Sequence, residues 1–404
     1  MLSDEVLDKV IERVTRRIEQ GNTYVLKQIG RSIKKIGTLS PSKAQQLGQL
    51  IKYGGDYDKI TKKLAEITKM NVKDIKKIFE EVAKSDYQFA KQFYDYRGKK
   101  FIPYEENMML KTQVDALANI TANEYVNLSR TLAFSKVVNG KVIHTPLARA
   151  YQETLDKAIL SVVQGKTTFQ EEMYSTIKEL ASSGLKTIDY GTGRTMRLDS
   201  SVRMQMRGAL RNLHNETQKI VGKEFDSDGV EISVHLNPAP DHAMVQGRQF
   251  SNEEFEKFQN DQDSHSYDGT FFPAEFEGHD RRSISEYNCY HYIFTIVLGV
   301  SEPEYSKEQL QKIIDNNEKG FEFEGKHYSN YDGTQLQRQI ETEIRKAKDE
   351  QITARAAEIP EDISNAQKRI TMLTYKYKEL CKASGLPSKL DRARVTDYRR
   401  TKVK

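Results

Sequence analysis

Apolar positions in the first half of the chain recur at three- and four-residue spacing. Leu7, Val10, Ile11, Val14 and Ile18 fall on one helical face. Ile60, Leu64 and Ile67 repeat the pattern. Asn71-Val-Lys-Asp74 then reads as a new helix start ahead of Ile75, Ile78, Phe79 and Val82, so residues 56–83 predict a short helical hairpin. Arg97-Gly98 through Pro103 interrupts the pattern and predicts a linker. Helical spacing resumes over 107–135, and Val138-Asn139-Gly140-Lys141-Val142 predicts a tight β-turn. Helices follow at about 146–164 and 168–182, separated at Gly165, with Thr168 placed to cap the second. Tyr190-Gly-Thr-Gly193-Arg194 is a glycine turn leading into a helix over 199–222. Val202, Met206, Ala209 and Leu213 mark its apolar face, and Arg203, Arg207 and Arg211 form a cationic stripe beside it.

The pattern changes at Phe225. Val230–Leu236 alternates like a strand, and the chain is turn-rich from there to about residue 300. Tyr290–Val300 is aromatic and β-branched and predicts a strand. Phe321–Tyr328 predicts a hairpin around Glu324-Gly325. Residues 335–357 and 361–384 predict two charged helices, followed by a basic, mobile tail from Lys389. The expected class is therefore α+β: a largely helical N-terminal half, a compact α+β unit and a helical, basic C-terminus. Four segments are expected, at 1–100, 107–223, 224–330 and 331–404.

Charge sharpens this division. Residues 1–100 carry 22 Lys and Arg against 13 Asp and Glu; residues 224–288 carry 4 against 15; residues 376–404 carry 10 against 3. Basic ends flanking an acidic middle suit contact with nucleic acid or with an acidic protein surface, and also suit charge complementarity inside the fold. The arginine stripe at Arg203, Arg207 and Arg211 is the candidate partner-binding surface, or else a solvated flank. Only 37% of the chain is hydrophobic and 30% is charged. The start is charged from Asp4 onward, unlike a secretory signal. The longest apolar run, Ile293–Val300, is too short to span a bilayer, so no membrane contact is expected. Two distant cysteines, Cys289 and Cys381, fit a reducing compartment such as a host cytoplasm.

Candidate chemistry concentrates in one region. Five of the eight histidines lie between residues 235 and 291. His235, Asp241, His242, Gln246, Gly247 and Arg248 fall in one run, and Asn288, Cys289 and His291 in another. A nuclease or metal-dependent hydrolase would use His and Cys side chains of this kind. Such polar groups also hold turn-rich units together. The spacing matches no standard zinc pattern, and Asp261–His265 lacks the Gly and Glu that a calcium loop needs. Walker, Gly-x-Ser-x-Gly and His-Glu-x-x-His signatures are absent. The expectation is no metal, no cofactor, no small-molecule substrate and no catalytic residue.

The runs Ser233–Ser251, Asn288-Cys289-Tyr290-His291, Gly299–Tyr305 and Gly325–Glu341 resemble, in that order, the phage minor capsid protein 2 family. Ile188–Arg194 and Val202-Arg203 resemble it upstream. The likeness is good over about 145–350 and looser in the N-terminal quarter. The Asp-His…Gly-Arg and Asn-Cys elements also resemble, more distantly, the Mu F-like head morphogenesis proteins. Val245 stands where relatives tend to have Trp, and Tyr290 where they have Arg. The resemblance implies a low-copy structural protein of the virion, incorporated during head assembly near the portal and on the inner side of the shell. Portal and major capsid proteins would be its partners, with packaged DNA a further one. Ejection with the genome is an alternative role.

Overall fold

The computed structural model describes residues 4–38, 43, 55–138, 141–163, 169–188, 195–276, 279–280, 282–285 and 289–402. Among these residues are eleven α-helices and thirteen short strands. The mixed α+β class and the helical ends expected from the sequence are both present. Chain contacts define two compact units. One comprises Met1–Ile11, Asp74–Ala122 and Met204–Gln335; the other comprises Glu12–Lys73, Asn123–Arg203 and Leu336–Lys404.

In the first unit, β5 (Gly229–Ile232) is the central strand of a three-stranded antiparallel sheet. It lies between β11 (Ile293–Ile296) and β6 (Gln249–Ser251). The short helix α7 (Pro240–Ala243) sits in the connection from β5 to β6. Helix α8 (Asn252–Gln259) follows β6 directly, because Ser251 accepts a capping hydrogen bond from the Glu254 amide. Val230, Ile232, Val245, Phe250, Phe258, Phe272, Ile284 and Cys289 form one buried apolar cluster. Phe250 packs rings with Phe255, Phe258 and Phe272 at centroid distances of 5.4–6.0 Å. A well-packed aromatic cluster contributes beyond its buried area alone.

The acidic stretch thus folds around aromatics. Downstream, α9 (Lys307–Lys319) begins with a full capping box at Ser306 and Gln309. The predicted hairpin is present as β12 (Phe321–Phe323) and β13 (Lys326–Tyr328), with Glu324 and Gly325 both at positive φ, as a two-residue primed turn needs.

In the second unit, β1 (Leu132–Val138) pairs with β2 (Lys141–Pro146) in the predicted hairpin. The Asn139-Gly140 turn lies outside the described residues. With β3 (Lys186–Ile188) and β4 (Thr195–Arg197) these strands form a sheet of order β2-β1-β3-β4. Helices α4 (Leu147–Val163) and α5 (Phe169–Ser183) contact β1 of that sheet. Gly165, Thr168 and the Tyr190–Arg194 turn lie outside the described residues.

Three local expectations are corrected. Residues 56–83 are not a hairpin; they belong to one continuous helix, α2 (Gly55–Arg97). Asn71 does not cap anything there. It is fully buried, donates to Val14 O and Tyr125 Oη, and accepts from Arg17. Tertiary partners have absorbed its hydrogen-bonding capacity. The helix predicted over 107–135 is α3 (Met108–Arg130), which gives way to β1 because residues 133–138 pair with residues 141–146. The tail from Lys389 is not free. Arg345 donates to Arg392 O at 2.9 Å, Lys348 to Ala393 O at 2.7 Å, and Ala393 is fully buried. These carbonyls replace water around two cations of α10 (Asn330–Ala357), Arg345 buried and Lys348 half-buried.

Candidate functional site

The dense polar region of the sequence becomes a compact arrangement within the first unit. His242 sits on α7, a short helix that starts at Pro240. Its Nε2 lies 2.9 Å from Arg282 O. A carbonyl only accepts, so Nε2 carries the proton and Nδ1 the lone pair. Asp241 on the same turn accepts from Arg282 Nε and Nη2 at 2.5 and 2.6 Å, a bidentate pair. Burial works against the Asp241 carboxylate, but the Arg282 hydrogen bonds hold its pKa below the ordinary range. Arg282 therefore clamps α7 twice, through its carbonyl and its guanidinium.

Gly247 closes the same connection. Its amide donates to Ile232 O at 2.8 Å, and its φ is +69°. A Cβ there would lie 2.5 Å from Leu310 Cδ2, the movable end of a side chain, so it is chiefly the left-handed backbone that calls for glycine. Gln246 is 1% exposed. Its Oε1 accepts from the His235 amide at 2.8 Å, which fixes the orientation of the side-chain amide. The same oxygen lies 3.3 Å from His291 Nε2. His291 therefore donates through Nε2 and presents its Nδ1 lone pair to Cys289 Sγ, 3.6 Å away.

Cys289 and His291 lie on the segment entering β11, and both are buried. The ring centroids of His235 and His242 lie 4.6 and 5.3 Å from that of His291. Ligand-type atoms of His242, Cys289 and His291 all fall within 4.8 Å of one another. Burial, together with nearby His235 and His242, pushes the His291 pKa far down, so its ring is neutral. Burial raises the Cys289 thiol, but the hydrogen bond it shares with His242 outweighs that, and the net direction is down. Burial lowers His242, and Cys289 outweighs that in turn. The thiolate, which forms when this shared proton leaves, is the form that acts as nucleophile or metal ligand.

The structure brings together His235, Asp241, His242, Gln246, Gly247, Cys289 and His291. His235 Nε2 donates to Tyr290 O at 2.7 Å. Arg248 faces elsewhere, donating to Asp268 at 2.6 Å. Asn288 lies outside the described residues. His265 is exposed and stands 3.8 Å from Glu254, away from the cluster. Of the arginine stripe, Arg211 donates to Cys289 O, and Arg207 pairs with Asp8 while its guanidinium lies 5.3 Å from the Tyr290 ring. Arg203 belongs to the second unit and pairs with Glu12 at 3.1 Å.

Two residues whose hydrogen bonds tie this unit together were not singled out by the sequence. In the sequence Arg282 ends the polar run His279-Asp280-Arg281-Arg282, and nothing there marks it as the partner of Asp241. His214 is buried and lies between Asp86 Oδ2, at 2.8 Å, and Ile293 O, at 3.1 Å. Its place on the helix 198–224 gave no signal, since a lone histidine at a helical position is common.

The distinctive polar residues of this region are thus turned inward and hold a small α+β unit together. The family model for phage minor capsid protein 2 matches residues 2–382, and the chain belongs to that family. No curated protein and no solved structure matches it. No helix among the described residues is long and apolar enough to cross a membrane.

Proposed function

We propose that this minor capsid protein acts structurally in head morphogenesis, on the inner side of the shell near the portal vertex, with portal and major capsid proteins as partners and without catalysis of its own. The observation that carries the reading is the family match over residues 2–382. The site supports it. His242, Cys289 and His291 are 1–4% exposed, so the reactive-looking groups are shielded from a macromolecular substrate. Their hydrogen bonds join the β5–β6 connection to the approach to β11, which is a packing role. The net positive charge of residues 1–100 suits acidic partners, packaged DNA among them.

Co-expression with the portal and major capsid proteins tests this. Co-elution at a defined low stoichiometry is expected. Elution of the chain alone, in the presence of both partners, would count against it.

A further inference from the structure

We propose that Cys289, His242 and His291 bind one zinc ion, which fastens helix 240–243 to the segment entering strand 293–296. Three observations converge on this. The donor set is the first: one thiol and two imidazoles, ligand types suited to a borderline-soft divalent metal. Distance is the second. Zinc–sulfur and zinc–nitrogen bonds of about 2.3 and 2.0–2.1 Å at a tetrahedral angle place the ligand atoms about 3.6 Å apart. Cys289 Sγ and His291 Nδ1 stand 3.6 Å apart. The full set spans no more than 4.8 Å, so closure on an ion requires about an ångström of side-chain movement.

Orientation is the third and strongest observation. Histidines that ligate a metal donate their second ring N–H to a carbonyl or another acceptor, which fixes the tautomer. His242 donates to Arg282 O and His291 to Gln246 Oε1, so both rings hold Nδ1 as the lone pair. The acceptors are themselves fixed. Arg282 is tied to Asp241, and Gln246 to the His235 amide. Gln246 Nε2 is meanwhile buried with no hydrogen-bond partner among the described residues. An unpaired buried donor is destabilising. It is the group a solvent-derived fourth ligand would accept from.

Binding balances simply: Cys289 gives up its thiol proton to solvent, and sulfur and two neutral nitrogens donate to the ion. The remaining positive charge lies near the Asp241 carboxylate, whose Oδ2 is 3.9 Å from His242 Nε2. The three ligands join residues 47 and 49 positions apart in the chain, so the ion would act as a cross-link within the α+β unit. This inference does not depend on the virion role.

The test uses the full-length chain. Metal analysis after desalting is expected to give one zinc per chain, released by a chelator together with a loss of thermal midpoint. Replacement with cobalt is expected to give the visible bands of a tetrahedral site and a thiolate charge-transfer band. Cys289→Ser abolishes that band and the chelator effect, and Cys381→Ser keeps both. Should Cys289→Ser not fold, His291→Gln and the wild-type cobalt spectrum decide. Folded wild-type protein that takes up no zinc and shows no cobalt–thiolate band overturns the proposal. So does a band that survives Cys289→Ser and disappears in Cys381→Ser.

Discussion

Arg197 Nη2 and Asp349 Oδ2 meet at 3.0 Å in the second unit, with the two side chains 9% and 0% exposed. The pair extends into a buried network. Arg197 also reaches Asp199 at 3.2 Å, Arg345 reaches Asp199 at 3.3 Å, and Asn22 donates to Asp349 at 3.2 Å while accepting from the Leu185 amide. Burial opposes ionisation of Asp199, but Arg197 and Arg345 hold its pKa far below the ordinary range. Five side chains from three separated parts of the sequence are thereby locked in one geometry.

Removing one member of such a network leaves the others charged and dry. Asp349→Ala is expected to lower stability by about 3–5 kcal/mol, because Arg197 loses a partner it cannot replace with water. Chemical denaturation of the variant against the wild type measures this. A loss below about 1 kcal/mol would mean that water reaches Arg197 and that the network is not dry.

Glu19 makes stability depend on pH in an unusual direction. Burial, then Asp199 and Glu12, raise its pKa from 4.5 to about 8. The fold therefore prefers the protonated carboxyl. That contribution is fully present below the unfolded pKa of about 4.5 and is lost as pH rises through about 8. Glu19→Gln keeps a neutral amide at all pH values. The variant is expected to gain on the wild type between about pH 5 and pH 9, by on the order of a few kcal/mol. Thermal midpoints measured across that range test it, and parallel curves for the two proteins would refute it.

Gly247→Ala strains the turn that positions Gln246. The new methyl would start 2.5 Å from Leu310 Cδ2 and 2.8 Å from Val234 Cγ2, at a φ of +69°. The side-chain ends can move aside, whereas the backbone cannot leave the left-handed region without losing the Gly247 amide bond to Ile232 O. A loss of about 1–3 kcal/mol is expected. A denaturation midpoint equal to that of the wild type would show that the turn has an alternative path.

The helices were legible because they rest on local periodicity. The first half of the helix 4–37, and the helices 198–224 and 360–384, follow a local pattern that needs no knowledge of the rest of the chain. The 321–328 hairpin was legible because Glu324-Gly325 encodes its own turn. Asn71 misled because a side chain that caps helices in isolation can equally serve distant partners, and only the fold brings Val14 and Tyr125 to it. The tail misled for a related reason. Its basic composition reads as solvated, yet its backbone carbonyls are what Arg345 and Lys348 bind. At the site, the residue types were visible and the geometry was not. Forty-seven positions separate His242 from Cys289, a spacing no local motif encodes. Asp241 gave no hint of Arg282, since an ion pair across 41 positions leaves no pattern in the sequence.

The most direct test of the virion role is the protein content of heads assembled with and without the portal. Quantitative mass spectrometry of purified particles is expected to find this chain at a fixed low copy number per head. It should be protected from added protease, and lost when the portal is left out. Particles that lack the chain altogether, or that carry it exposed and in amounts indifferent to the portal, would contradict the account.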